Sequence, residues 1–504
     1  MAATMSPPQP QELPQHQPPV PAAPAMPEVT EPLPNGAQIP LQSFKLPDFP
    51  PQAAHLQALT LTSDIKPTEY SDLLATALDP EAIPSSLPKG IEALTLELFS
   101  LGYPPPFLVK LGRALPKLKS LTLYSQLVDG VGDGSRRDAG EFFHDVLVGR
   151  RDNGGGLREL HFIDTFSRKG FIAGLGAILE DLNTPDPATG APRRSMLRFL
   201  EIAYTYRGHS DSNFLARIPG EELPTMLVPG LLSASFSLAA PPTSSSKPAL
   251  SEFPDDPADV DENGVPIPGR KPEGIIPLPQ SNPGTAILVR KLTGRVVESN
   301  KKKGDSSANG NGKEGKEEEE EEEPPIRPPG SGPGPQNLKM LDCTIYTLDT
   351  AQLADIVRFQ TGLAVLSASV LVGAGEAAKV ALLEALRGGK DGASGKELEM
   401  IEIVGVPDAE FDKATSSESS QPPSRELLQK IFPSGSDMDE LSTHLPRLES
   451  FRMTILRASS FGSVEWTRSP GSDGKWTGGL IEGRKEEEKT DETQIQQKKE
   501  ETGA

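Results

Sequence analysis

Cysteine is nearly absent: Cys343 is the single one in 504 residues. One thiol can form neither an internal disulfide nor a four-thiolate metal site, which suits a reducing compartment. Long hydrophobic runs are missing as well. A membrane helix needs about 18–20 consecutive apolar residues, and the best candidate, "LAVLSASVLVGAG", is broken by Ser and Gly. The start, "MAATMSPPQPQELPQ", has no basic n-region and no apolar h-region, so a secretory signal is not expected. Basic side chains are in deficit, with 50 Lys and Arg against 71 Asp and Glu and a net charge of −21. Such a chain repels nucleic-acid phosphates and anionic membranes. Neither is an expected partner, and the expected compartment is cytosol or nucleus.

Aromatic residues reach only 5%, whereas Pro and Gly number 52 and 47, so unfolded stretches are expected between folded ones. Residues 1–50 are Pro- and Gln-rich and too poor in large apolar groups to offset the entropy of ordering, so they read as a disordered tail. Residues 241–336 read as a largely disordered acidic, Pro- and Gly-rich insertion containing seven consecutive glutamates, Glu317 to Glu323. Within it "TAILVRKLTGRVVES" alternates well enough to predict a hairpin. Residues 483–504 are charged without an apolar stripe and read as a second tail.

The two remaining parts, 51–240 and 337–482, share one pattern: apolar residues at offsets of three and then two. It begins with Leu56, Leu59 and Leu61 in "LQALTL" and Ile91, Leu94 and Leu96 in "IEALTL", and continues through "LKSLTL", "LRELHF", "LRFLEI" and the degraded "LLSASF". The second part adds "LKMLDC", "LAVLSA", "LEMIEI" and "LESFRM", ten copies in all. Between them lie stretches with helical spacing, such as "DAGEFFHDVLVGR", where Phe142, Phe143, Val146 and Leu147 share a face. The unit is strand, turn, helix, return. One strand and one helix cannot bury their apolar faces alone, whereas stacked copies form a parallel sheet backed by helices around a continuous core.

These copies resemble the leucine-rich repeat family, in particular irregular fungal-type versions with long helix-bearing repeats. The resemblance implies an α/β solenoid: a curved parallel sheet with helices on its outer face, interrupted by the disordered segments. The ninth position of each copy, which the fuller family pattern gives to Asn or Cys, holds Asp64, Phe99, Gln126, Thr165, Thr205, Tyr346, Leu371, Val406 and Leu456. An asparagine ladder is therefore absent, and an open arc is expected. The segment "FGSVEWTRSPGSDGKWTGG", with Trp466 and Trp476 flanking a turn, reads as a hairpin that covers the open end.

Catalytic patterns are scarce. The six histidines are scattered without an H-x-x-x-H pair, and there is no phosphate loop of the G-x-x-x-x-G-K-[ST] kind and no G-x-S-x-G elbow. Cys343 occupies an inward repeat position and reads as a structural thiol. One motif points elsewhere: Gly373, Gly375 and Ala378 make G-x-G-x-x-A between a strand and a helix, with Asp408 after the next strand, as a dinucleotide site would require.

What remains is a surface. In each copy residues three, five and seven leave the sheet on the face opposite the triad. Most are small or carry hydroxyls. The larger ones, Tyr124, His161, Phe199, Glu201, Asp342, Glu402 and Arg452, are the candidate partner-binding residues. The expected function is thus a monomeric, non-enzymatic protein-interaction scaffold, with no catalytic residue, cofactor or metal, that binds a protein on the concave face. Two alternatives stand beside it. One is an F-box-like substrate adaptor of a ubiquitin ligase, though the first 50 residues lack a three-helix pattern. The other is a dinucleotide-binding enzyme using Gly373, Gly375 and Ala378.

Overall fold

All thirty triad residues, from Leu56 to Met453, are buried, and all belong to one continuous hydrophobic core. The computed structural model describes residues 35–97, 101–149, 156–184, 195–205, 217–239, 277–294, 330–389, 395–408, 411, 425–455, 463–468 and 474–481. The expected tails over 1–34 and 483–504, most of the insertion with its glutamate run, and Phe99 and Leu456 lie outside these residues.

The strands are β1 (Gly36–Leu41), β2 (Ala58–Ser63), β3 (Ala93–Glu97), β4 (Ser120–Tyr124), β5 (Glu159–Ile163), β6 (Phe199–Thr205), β7 (Ser233–Ala239), β8 (Met340–Leu348), β9 (Val365–Val372), β10 (Met400–Pro407), β11 (Ser450–Ile455), β12 (Ser463–Arg468) and β13 (Trp476–Ile481). They form one 13-stranded sheet in strict sequence order, parallel from β1 to β11 and closed by the antiparallel β12 and β13. The fourth residue of each copy pairs with the fourth of the next. One row therefore runs Leu59, Leu94, Leu121, Leu160, Leu200, Ala234, Leu341, Leu366, Ile401, Phe451 and Trp466.

Helices α1 (Pro67–Ala75), α2 (Phe107–Ala114), α3 (Asp133–Val148) and α4 (Phe171–Leu182) fill the connections from β2 to β6. Among the described residues between β6 and β7 lies a 3-10 turn, Leu223–Met226. Then come α5 (Pro283–Thr293), α6 (Thr350–Phe359), α7 (Glu376–Leu386), α8 (Arg425–Ile431) and α9 (Gly435–His444). From α2 through α8 each packs on its neighbour in chain order, α4 and α5 through the 3-10 turn between them. Crossovers between parallel strands are right-handed in nearly all proteins, so strands added in one direction send every helix to the same face. The helices' apolar sides meet the triads there, and among the described residues no helix packs on the other face of the sheet. No helix among the described residues is long and apolar enough to cross a membrane.

Two segments differ from the sequence expectation. Residues 35–50, assigned by composition to the tail, hold β1, whose Ala37 and Ile39 continue the fourth and sixth rows beside Leu59 and Leu61. Leu41, Phe44 and Leu46 behind it are buried, and Phe44 meets Tyr70, Tyr103 and Phe107 edge-on at 5.7, 6.1 and 5.7 Å. "TAILVRKLTGRVVES" begins with a helix, α5, rather than a hairpin strand. Asn282 caps it by accepting the N–H of Gly284, Pro283 pre-sets its first turn, and Gly294 ends it at φ +65°. Thr285, Leu288 and Leu292, three and four apart, form its buried stripe. Gly284 lies so close to the Gly220 carbonyl that an added Cβ would fall 1.9 Å from its oxygen. The insertion thus contains the helix of its own repeat.

Candidate functional site

On the helix-free face the fifth residue of each copy lines up as the fourth does on the other. The row runs Thr60, Thr95, Thr122, His161, Glu201, Ser235, Asp342, Ser367, Glu402, Arg452 and, on β12, Glu465. Five of the seven candidate residues, His161, Glu201, Asp342, Glu402 and Arg452, fall in this one row. Phe199 lies one row before it and Tyr124 one row after, so all seven share one face.

Within the row two groups form. Over β4 to β6, His161 Nδ1 lies 2.7 Å from Glu201 Oε2, with both side chains half-buried. Burial, then the carboxylates of Glu201 and Glu97, push the Tyr124 phenol up from its usual value. The pair orients the imidazole as a catalytic base would be oriented, but the ring's other nitrogen has no hydroxyl or thiol hydrogen-bonded to it among the described residues. Over β7 to β12, Asp342 accepts the N–H of Thr344 at 3.0 Å, its hydroxyl at 2.8 Å and the Ser235 hydroxyl at 3.4 Å. Burial, with help from Glu402, pushes the Asp342 carboxyl up to about 6 against the pull of these donors. Arg452 reaches Glu402 at 3.8 Å and Glu465 at 3.1 Å.

The third row adds apolar groups. Phe199 and Met340 are exposed at 42% and 37%, with Ser233 between them, and Val365 and Met400 continue the row half-buried. Leu232, just before β7, is exposed nearby. Met340, Val365, Met400 and Glu465 belong to this surface although sequence reasoning did not single them out. Met340, Val365 and Met400 occupy third positions of their copies, a legible signal; Glu465 lies beyond the last copy.

The G-x-G-x-x-A motif does lie between β9 and α7, but its surroundings oppose a phosphate. A Cβ on Gly373 would sit 3.2 Å from Asp408 Oδ2, so a carboxylate overhangs the turn. Asp408 is held there by accepting the Phe411 N–H at 2.7 Å, and Glu376 adds a second carboxylate in the first turn of α7. In open α/β sheets dinucleotides bind where the strand order reverses. This order never reverses. Cys343 is fully buried, with Sγ 3.6 Å from the Ser367 carbonyl, and burial pushes its thiol well up. No group of three or more His, Cys, Asp or Glu suited to a metal occurs among the described residues. No protein-family model and no curated relative matches this sequence.

Proposed function

We propose that this chain is a non-enzymatic protein-interaction scaffold: a leucine-rich-repeat-like solenoid whose curved sheet binds a protein partner on its concave, helix-free face, while the helices form the outer side. The observation that carries the reading is the sidedness of the sheet. Triad residues are buried from β2 to β11, while the opposite rows are mostly hydroxyl-bearing and, apart from the buried Ser235 and Ser369, at least partly exposed, with most of their charged and aromatic members over β4 to β12. Stacked repeats use such a face to bind extended or globular proteins. A cytosolic or nuclear, monomeric protein fits the single buried thiol and the acidic charge.

The test is photo-crosslinking from single positions of the full chain in its own cells. Crosslinkers at Thr122 and Ser367 report the open face, and ones at the exposed His144 and Lys430 report the helix side. A partner captured from Thr122 and Ser367 and lost from the helix positions is the expected result. Capture from the helix side alone would overturn the reading. Deleting 295–329 while keeping α5 separates the face from the acidic arm.

A further inference from the structure

From β6 to β10 the fifth row repeats with a period of two strands, and the third row is apolar wherever the fifth carries an acid. On β6, β8 and β10 an apolar residue at position three is followed by an acid at position five: Phe199 and Glu201, Met340 and Asp342, Met400 and Glu402. The strands between, β7 and β9, carry Ser233 with Ser235 and Val365 with Ser367. Neighbouring strands lie about 4.8 Å apart, so the apolar and acidic pairs recur about every 9.6 Å across the sheet. Seven residues of α-helix advance about 10.5 Å. An extended segment offers no such match, because its side chains return to one side only about every 6.6–6.8 Å.

The charge of the face is one-sided. Glu159, Glu201, Asp342, Glu402 and Glu465 stand in these rows and Glu97 in the seventh, against the single guanidinium of Arg452 in the same rows. Arg452 is already shared between Glu402 and Glu465 at the far end. Over β6 to β8, Phe199, Met340 and Leu232 are all exposed apolar side chains.

Building on the scaffold reading, we infer that the open face takes a basic amphipathic helix laid across β6 to β10, with apolar side chains seven residues apart on Phe199, Met340 and Met400 and Lys or Arg beside them on Glu201, Asp342 and Glu402. The apolar stripe supplies the anchor and the acids select for positive charge and fix the register.

The experiment titrates full-length protein with a fluorescent helical peptide of about three heptads, carrying Leu every seventh residue and Lys on the adjacent stripe. Comparison peptides have the same composition scrambled, or Glu in place of Lys. The heptad Lys peptide should bind, weaken with added salt, and lose at least about tenfold in affinity to the double variants Glu201→Lys with Glu402→Lys and Phe199→Ser with Met340→Ser. Phe199 and Met340 are exposed and Glu201 and Glu402 partly exposed, and unchanged circular dichroism and melting temperature verify folding. Equal binding of the scrambled peptide would overturn the helical spacing, and binding of the Glu peptide or of none would overturn the basic partner. The crosslinks from Thr122 and Ser367 tell the two levels apart. A non-helical or acidic segment captured there leaves the scaffold reading standing and removes this one, whereas no capture from the face removes both.

Discussion

Gln126 and Thr165 occupy the ninth position of adjacent copies, where the resemblance would place asparagine. Both are buried, and both bond to carbonyls. Gln126 Nε2 donates to the sixth-position carbonyl of the preceding strand, Leu96, at 3.0 Å, and also toward its own strand's Tyr124 at 3.3 Å, while its Oε1 accepts from Tyr103. Thr165 Oγ1 lies 3.0 Å from the Leu123 carbonyl and 3.2 Å from that of Ile163. Two different side chains thus satisfy equivalent carbonyls of successive copies, where the chain turns out of the strand at Ser125 (φ 48°) and Asp164 (φ 49°). The absence of asparagine was plain in the sequence; that Gln and Thr do its work was not, because either is common on a surface. Thr165→Val keeps the branched shape and removes only the donor, so urea unfolding should show a loss of about 1–2 kcal/mol without a change in slope.

At the scale of elements, a recurrent device is a carboxylate from one element closing the start of a preceding helix. Asp138 of α3 accepts the N–H groups of Leu108 and Val109 of α2 at 3.0 and 3.1 Å, and Glu222 accepts those of Gly170 and Ala173 at the start of α4 at 2.6 and 3.1 Å. Burial pushes the Asp138 carboxyl up to about 6; Glu141 adds to this, while the two N–H groups and Arg113 oppose it. Because the folded value lies above the unfolded one, folding takes up a proton, and the stability this group contributes is complete below about pH 4 and lost as pH rises through about 6. Asp138→Asn keeps one acceptor and cannot titrate. Comparing urea unfolding of the two proteins at pH 4.5 and 7.5, the difference should move toward the variant by about 2 kcal/mol on going to the higher pH; a constant difference would remove the linkage. The strands β2 to β11 were legible because each carries three inward apolar residues at fixed offsets. β1 was hidden by Ala37 and Ile39 standing where leucines would, and by Pro40 within the strand. α5 was hidden because "AILVRK" satisfies alternation over a few residues as well as helical spacing, and only its cap residues and the buried seat beside Gly220 decide between them. The seven site residues were legible as sharing a face from strand periodicity alone. That His161 would pair with Glu201, and Arg452 with Glu402 and Glu465, depends on which strands become neighbours, and that follows from the strict chain order of the sheet.

For the molecule as a whole, the shortest strand pairing is the seam between β7 and β8. β6 and β7 pair over seven residues and β9 and β10 over eight, but β7 and β8 pair only from Ser233 to Ser235 against Met340 to Asp342. Beyond Cys343, β8 bulges and pairs instead with Leu278 of the insertion. What spans the seam is α5. Its buried Lys291 ammonium lies 2.5 Å from Glu180 of α4, and Glu180 also accepts the Gly332 N–H. On the other side Gln360, at the end of α6, donates to the Leu292 and Pro335 carbonyls at 2.6 and 2.8 Å. Burial lowers the Lys291 pKa while Glu180 holds it charged, so truncating the side chain leaves a hole and a carboxylate without its partner. Lys291→Ala should therefore cost about 3–5 kcal/mol and, more tellingly, uncouple the two halves. In the parent protein, amides of β2 to β7 and of β8 to β11 should exchange in one cooperative opening; in the variant they should separate into two, with a lower denaturant slope. Lys291→Met, which fills most of the hole, should restore part of the stability. If both halves of the alanine variant still open together, the triad core alone carries cooperativity across the seam and α5 is only a filler.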